Sequence, residues 1–522
     1  MSKRVVLLIS VLLSSAMVFL LPGCGTAAPA APERSRIVNI GYSEKPTTLD
    51  PHHQSNQGSE NPARMVFETL IYSDHQGNYT PMLAESWEID PAGMFWTFKL
   101  RQGVTFSNGE PFDADDVVCT FQRLIDDRDT LNYPGQYWRD LASVEKIDQF
   151  TVKINFTEPY PLAANSFRGT YIIPNEAYEK YGEELFNLQL SYGTGPWVLK
   201  EWIDGQYCHF TKNQNYWNKA EFDSYFDEVY IRHVLEPSSA VAAHLSGDID
   251  AYIPGNGMDR NLVPLYAGTE NRIELFEKES NTIIYIQFQF AEGNPFSDIN
   301  VRRAFDAAID RQLIIDHILG GGTFPVGLLP LGVIGHDPNV EPHVYDPELA
   351  RQYLADSSYN GEPVSILLSY NLMKSEDIGL AIADMCNKVG FNMTVSVEEH
   401  GSVNTKRFSG NYDLVVSNTM FVDGIPYRHL NSLYLHDNYK SHYYDEVMFD
   451  NIRQFNQSMD AQERIEVAQQ ITRQIREELA NMTPLAVLKG MYAVDYGITG
   501  IRFYPDGMLN FCYVDFDPSL LR

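Results

Sequence analysis

Segments with strand periodicity and segments with helix periodicity alternate along almost the whole of this chain, and that alternation leaves few folds open. Arg36–Tyr42 has strand character and ends in a proline-containing loop, 43–53, while Asn61–Leu70 spaces Met65, Phe67 and Leu70 as a short helix does. Phe95–Leu100 alternates and then turns at Arg101-Gln102-Gly103. Asp113 opens a helix to about Ile125, its carboxylate capping free amides while acids in the first turn suit the helix dipole. Strands follow at Val152–Phe156, Trp197–Trp202, Asp227–His233 and Asp250–Ile253, the last two around a helix at Ser238–Leu245. Ile283–Phe290 alternates strongly, and an amphipathic helix is expected over Val301–Leu319, stopped by Gly320-Gly321-Gly322. Asp346–Ala355, Glu376–Val389, Phe391–Val397 and Asp460–Ala480 continue the mixture, and strands close it near Tyr492–Asp495 and Leu509–Asp515. The pattern predicts an α/β protein of sheets covered by helices. Its 522 residues exceed what one core supports, since single cores stop growing near about 250–300 residues. Two to four domains are expected.

With 44% hydrophobic and 21% charged residues, wholesale disorder is excluded. Lys plus Arg number 39 against 69 Asp plus Glu, a formal charge of −30, so the chain repels phosphate backbones and no nucleic-acid partner is expected. Aromatics reach 12%, with 31 Tyr, whose flat apolar rings with polar tips suit a ligand cleft as well as a large core.

The N-terminus reads as an address. Lys3 and Arg4 precede an uncharged, mostly apolar run from Val5 to Leu21, followed by Pro22-Gly23-Cys24 and an Ala/Pro-rich stretch to Pro32. That is the layout of a secretory signal, with 1–23 removed and 24–35 left as a tether. Leu-x-Gly-Cys resembles a bacterial lipobox, departing from it at Pro22. The resemblance implies that Cys24 is lipidated and anchors an exported body to the bacterial cell membrane, facing the periplasm or the exterior. Ordinary secretion and an uncleaved anchor are the alternatives. The remaining Cys119, Cys208, Cys386 and Cys512 are far apart in sequence and form no C-x-x-C; two disulfides and buried free thiols are equally open.

The catalytic inventory is thin. The chain contains no G-x-x-x-x-G-K-[ST], no G-x-S-x-G and no H-E-x-x-H, and its one glycine run follows a helix where a phosphate loop would precede one. His52-His53 are expected at the surface. His429, His436 and His442 match no tetrahedral site spacing, so no metal and no cofactor is expected. Nothing selects a pair of catalytic carboxylates among so many acids, and no enzyme activity is expected.

Six segments together carry a resemblance. They are Asn61–Tyr72 with Tyr79–Trp87, Trp96–Phe112, Asp113–Val118, Gly193-Thr-Gly-Pro-Trp197, Asn213–Trp217 and Val301–Arg311. In this order they resemble the family 5 extracellular solute-binding proteins of ABC importers, the peptide- and nickel-binding group. The likeness runs from about Ile37 to the C-terminus and implies a two-lobed periplasmic-binding-protein-like fold with a hinge and an extra subdomain in the first lobe. Mapped onto this chain, residues 36–65, 190–275 and 485–522 form the core of lobe 1, 66–189 the extra subdomain, and 276–484 lobe 2. The implied function is capture of a peptide or peptide-like solute between the lobes by a monomer, for delivery to the transmembrane subunits of an ABC permease. A nickel complex or other non-peptide solute is the alternative cargo; a secreted hydrolase or a sensory receptor is the alternative of another class. Alternate residues of the Trp96 strand are expected in the core, Gly193-Thr-Gly-Pro at a tight turn where domains meet, and Arg302-Arg303 on a solvated face that touches the permease.

Peptide-binding relatives carry a Trp, and then an Asp that grips the peptide ammonium, soon after a strand corresponding to Tyr412–Ser417. This chain departs on both counts, with Thr419 or Met420 at the first position and Val422 beside Asp423 at the second. The expected ligand-binding residues are Tyr42, Gln289, Asn418, Met420, Asp423, Tyr427 and Arg428, with Asp423 holding an ammonium and Arg428 a carboxylate. Tyr427 and His436 are the approximate candidates for a nickel complex.

Overall fold

The structure, a computed structural model, describes residues 35–521 except 55, 74–78, 129, 131–137, 188–191, 256, 326, 331–332, 422–424, 436–439, 480 and 505–508. The N-terminal signal and tether with Cys24, and also Asp423 and His436, lie outside the described residues. Among the described residues no helix is long and apolar enough to cross a membrane.

Ten strands form one sheet, in the order 392–398, 363–369, 414–420, 273–288, 482–495, 251–252, 37–42, 228–233, 207–212 and 197–203. The two central members, Ile273–Phe288 and Met482–Asp495, are long and antiparallel, and each serves both halves of the sheet. Thr282–Phe288 pairs with the second half through Leu414–Met420, and Val494 and Ala493 pair with the first half through Ala251–Tyr252. Between Glu279 and Ile283 the register of the central pair slips, a bulge that bends and twists the ladder where one half gives way to the other. These two strands form the hinge of a two-lobed α/β fold.

Separate apolar clusters fill the two halves. One gathers Val38, Ile40, Trp197, Phe210 and Val229 under the first lobe; another gathers Ile284, Phe305, Ile366, Ile382 and Leu414 under the second. The alternating strand Phe95–Leu100 belongs to a four-stranded antiparallel sheet, and Trp96, Phe98 and Leu100 are buried as its alternation predicts. Asp113 caps its helix with a full capping box completed by Asp116.

Three local expectations are corrected. The helix expected over Val301–Leu319 is broken: Ile299–Ala308 ends at an extended Ile309, Asp310 caps Arg311–Leu313, and a π-turn covers Ile314–Ile318. In an unbroken helix Asp306 and Arg311 would point about 140° apart, five residues at about 100° each. The break turns the buried Arg311 guanidinium onto the buried Asp306 carboxylate, which also meets His343 at 2.9 Å and Thr483 at 2.7 Å. Burial alone would raise the Asp306 pKa, but Arg311 and His343 hold it well below the usual carboxylate range. Arg302 is not on a solvated face: it is buried and donates to the carbonyls of Phe296, Ser297 and Glu478, while Arg303 remains exposed. His52 is not at the surface either. It is fully buried, with Nε2 on the Tyr171 carbonyl at 2.8 Å and Nδ1 facing Arg123 at 2.9 Å, and burial, then Arg123, lowers its pKa to about 4.

Candidate functional site

The first strand ends at Tyr42 and the strand Leu414–Met420 ends at Met420; each runs parallel to a neighbour, so both residues stand at carboxyl ends of parallel strands. In open α/β sheets ligands bind in the crevice beyond such ends. Here the two ends meet through one side chain. The Tyr42 hydroxyl donates to Gln57 Oε1 at 2.9 Å, and Gln57 Nε2 lies 3.9 Å from Met420 Sδ, so Gln57 touches both lobes. Glu44 Oε2 accepts from the Gly58 amide at 3.2 Å, at the start of the helix Gln57–Val66. A methyl group on Gly255 would come within 2.7 Å of Gln57 Oε1, 3.0 Å of the Tyr42 hydroxyl and 3.3 Å of Glu44 Oε1. A side chain at Gly255 would press on the ends of these three polar groups where they converge. Burial raises the Glu44 pKa and, with Glu44 nearby, holds the Tyr42 phenol well above its usual value. A second closing contact joins the lobes where Lys374 meets Asp259 at 3.2 Å.

From this junction the helix carries Gln57, Glu60 and Arg64 at spacings that share one face. Arg64 donates to Glu60 Oε1 at 2.6 Å and lines a cavity of about 30 Å³ together with Glu68, Tyr72, Arg168 and Asn510. The hydroxyls of Tyr72 and Tyr504 touch, and Asn510 Nδ2 lies 3.1 Å from the first and 3.2 Å from the second. Glu68 accepts from the Tyr216 hydroxyl at 2.9 Å and the Trp217 indole at 2.8 Å, and burial pushes its carboxyl up to about 7.

The structure brings Tyr42 and Met420 together, with Asn418 on the same strand as Met420, and places Gln289 and Tyr427 elsewhere. Asn418 is exposed on the strand leading to Met420. The Tyr427 ring lies 5.9 Å from that of Tyr160, and burial raises its pKa to about 12. Arg428 falls in the helical turn Tyr427–Leu430, its side chain outside the description, as is all of Asp423. Gln289 lies past the opposite end of the strand pair, its amide opposite Asp413, seven residues from Met420 or about 23 Å of strand. Its side chain donates to the Gly410 and Lys440 carbonyls, accepts from the Phe290 and Ala291 amides, and faces a groove of about 550 Å³ in the second lobe alone. Sequence reasoning missed Gln57, Glu44, Gly255, Arg64 and Arg168. The available signal was Asn56, whose side chain caps the helix through the Ser59 amide five residues before the expected start.

Other polar clusters are accounted for locally. His429 contacts Thr419, whereas His442 hydrogen-bonds Gln289 Oε1 at 2.9 Å at the other end of that strand, so these two do not converge. Asp50, His53 and Glu183 could offer ligand atoms within 4.8 Å of one another, but the Arg123 guanidinium already bridges Asp50 at 2.5 Å and Glu183 at 2.7 Å. Cys119, Cys208, Cys386 and Cys512 are free thiols, which settles the pairing left open by the sequence; burial pushes Cys512 up to about 12. Gly193 and Gly195 pack directly on the Val66 carbonyl, where a Cβ at either would collide with backbone.

Residues 78–441 match the family described as bacterial extracellular solute-binding proteins, family 5 middle. The periplasmic oligopeptide-binding protein OppA of Haemophilus influenzae is 26% identical over 420 residues, 73% of this chain and 75% of that protein. The nickel-binding periplasmic protein of Escherichia coli is 27% identical over 440 residues, 78% of each. Among solved structures, NikA from Brucella suis in complex with Fe(III)-EDTA superposes with a TM-score of 0.82 at 22% identity, covering 92% of this chain and all of that one. DppA from Helicobacter pylori in complex with the peptide STSA superposes with a TM-score of 0.78 at 20% identity, covering 92% and 98%.

Proposed function

Because this chain belongs to the bacterial extracellular solute-binding proteins of family 5, we propose that it captures a peptide or peptide-like small solute between its two lobes and delivers it, unchanged, to the permease of an ABC importer. The observation that carries this reading is the hinge with its closing contacts. Two strands are common to both lobes, a bulge interrupts them, and Gln57–Met420 and Lys374–Asp259 meet across the crevice beyond the strand ends. Hinge bending about such a pair alternates an open, loading state with a closed, holding one. In this reading residues 36–65, 190–275 and 485–522 form the core of the first lobe, 66–189 widen its cleft, and 276–484 form the second lobe. In the same reading Tyr42, Asn418 and Met420 face the solute, and Asp423, Tyr427 and Arg428 take part in holding it. Cys24, acylated after export, tethers a monomeric body to the membrane through 24–35.

The test is scattering and mass spectrometry on protein purified without refolding and exposed to a tryptic digest of casein. Peptides recovered from the protein should be intact, and the radius of gyration should fall at concentrations that raise the melting temperature. A melting shift without compaction removes the hinge mechanism. Newly cleaved peptides point instead to a hydrolase.

A further inference from the structure

Three features local to Lys374 are unfavourable. Its backbone is left-handed, with φ 56° and ψ 30°, a conformation that costs any residue with a Cβ. It precedes the helix Ser375–Val389, where its ammonium meets the positive end of the helix dipole. A side-chain oxygen usually caps a helix from this position, and the Lys374 side chain makes no cap hydrogen bond. A residue that breaks local rules in this way persists because a distant part of the structure holds it. For Lys374 that part is Asp259, whose carboxylate lies 3.2 Å from the ammonium. The residue after Asp259 makes a second contact of the same kind. Arg260 is fixed by Glu277 at 2.5 Å on the central strand Ile273–Phe288, and its side chain lies against Gly320-Gly321-Gly322. A methyl group on Gly320 would come within 3.2 Å of Arg260 Cδ, and one on Gly321 within 2.6 Å of its Cζ. The glycine run therefore does more than stop a helix: it leaves a bare strip of backbone that seats Arg260. Its next residue, Thr323, exchanges hydrogen bonds with Val487 at 2.8 and 3.0 Å, and Val487 pairs with Ile283 at the bulge of the central strands.

We infer that Asp259 and Arg260 form a latch between the lobes. On closure Asp259 engages Lys374 and the Arg260 side chain settles along the glycine strip, so the closed form is stabilised by contacts to which the solute contributes nothing. The inference rests on the hinge reading, in which 190–275 belong to the first lobe and 276–484 to the second. The packing on either side agrees with that division. Asp259 and Arg260 lie between Met258 and Tyr266, which share an apolar cluster with Ile273. Lys374 and the glycine run adjoin a different cluster, through Ile378 on one side and Leu319 on the other. Opening separates Lys374 from its counter-ion and leaves the local costs of its position without compensation. The side chains of Lys374 and Asp259 are 26% and 34% exposed, so dissolved salt reaches the pair and screens it.

Single-molecule fluorescence tests this on protein carrying one introduced, dye-labelled cysteine in each lobe, and it reads the ratio of closed to open molecules with no solute present. The native thiols Cys208, Cys386 and Cys512 are buried and Cys119 half-buried, which keeps the dyes on the introduced pair. An ion pair of this exposure should contribute about 1.5- to 5-fold to the ratio at about 0.02 M salt and little at about 0.5 M. Asp259→Asn loses the charge and keeps the oxygen that accepts from the Asn261 amide at 2.9 Å. Lys374→Gln keeps most of the side-chain length. Each should lower the ratio by about that factor at low salt, and the double variant should lower it no further. All three should lose less of their closed population to salt than the wild type does. Repulsion between the acidic lobes is also screened by salt, but it is common to the four proteins and cancels in the comparison. Arg260→Ala empties the glycine strip and should lower the ratio at high salt as well as at low. Variants that match the wild-type ratio at low salt overturn the latch, and so does a double variant whose loss is the product of the two single losses. One salt response shared by all four proteins overturns it too. If the variants match the wild type and all still close on addition of the casein digest, the hinge stands without the latch. If no protein closes under any of these conditions, the hinge reading fails and the latch with it.

Discussion

Glu68 lets the environment of the cavity beside Arg64 be measured through stability. The side chain is 4% exposed, and its carboxyl is raised from 4.5 to about 7, chiefly by burial and against the hydrogen bonds of Trp217 and Tyr216. A folded-state pKa above the unfolded one means that the native protein keeps its proton to higher pH. The associated stability is complete below about pH 4.5 and is lost as pH rises through about 7. The gap of about 2.5 pH units, at about 1.4 kcal/mol each, makes the loss about 3 kcal/mol. Glu68→Gln removes this titration while conserving shape. Its carbonyl can still accept from Trp217, and its amide can donate to the Tyr216 hydroxyl, which accepts as well as donates. Urea unfolding of both proteins at several pH values from about 4.5 to about 7.5 gives the difference directly. Wild-type stability minus variant stability should fall by about 3 kcal/mol across the window, whatever other groups titrate in both proteins. Parallel curves, constant to within about 1 kcal/mol, would refute the argument that burial governs this carboxyl.

Asp306→Asn removes the anion that Arg311 and His343 share and should cost about 3–5 kcal/mol, the effect of stranding a buried charge. With about 2.1 cal/mol/K of unfolding entropy per residue over about 490 residues, scanning calorimetry should show the melting temperature lower by about 3–5 °C; an unchanged temperature contradicts the network. Gly193→Ala drives a methyl group into the Val66 carbonyl and should cost about 1–3 kcal/mol in chemical denaturation, whereas a neutral result would mean that this turn yields easily. Cys24→Ser should move the protein from the membrane to the soluble fraction of cells, and retention on membranes would favour an uncleaved anchor.

Much of the fold was legible because its elements are locally consistent. Phe95–Leu100 and the Asp113 cap lie where alternation and capping chemistry put them. What could not be read were features set by distant partners. The break after Ala308 exists because Arg311 must reach Asp306 and the Pro484 carbonyl, which no periodicity announces. His52 is buried because Arg123 and the Tyr171 carbonyl receive it from 71 and 119 residues away. The candidate site was half legible. Tyr42 and Met420 are strand ends and could be found by pattern, but Gln57 lay in a segment whose Gly58 and Pro62 look like loop. Arg64 and Arg168 come together only through the packing of the helix Gln57–Val66 against the segment that follows Arg168.

The bulge between Glu279 and Ile283 lies in the strand pair that both halves of the sheet share. The central strands are paired on both sides of it, so in the proposed hinge mechanism their local twist would set how often the unliganded molecule samples its closed form. Apparent affinity scales with that fraction. A change confined to residues 280–281 would then strengthen or weaken the grip on every cargo by one common factor and leave the ranking among cargoes untouched. Selectivity and grip strength would thus be adjustable separately, the first from the walls and the second from the spine.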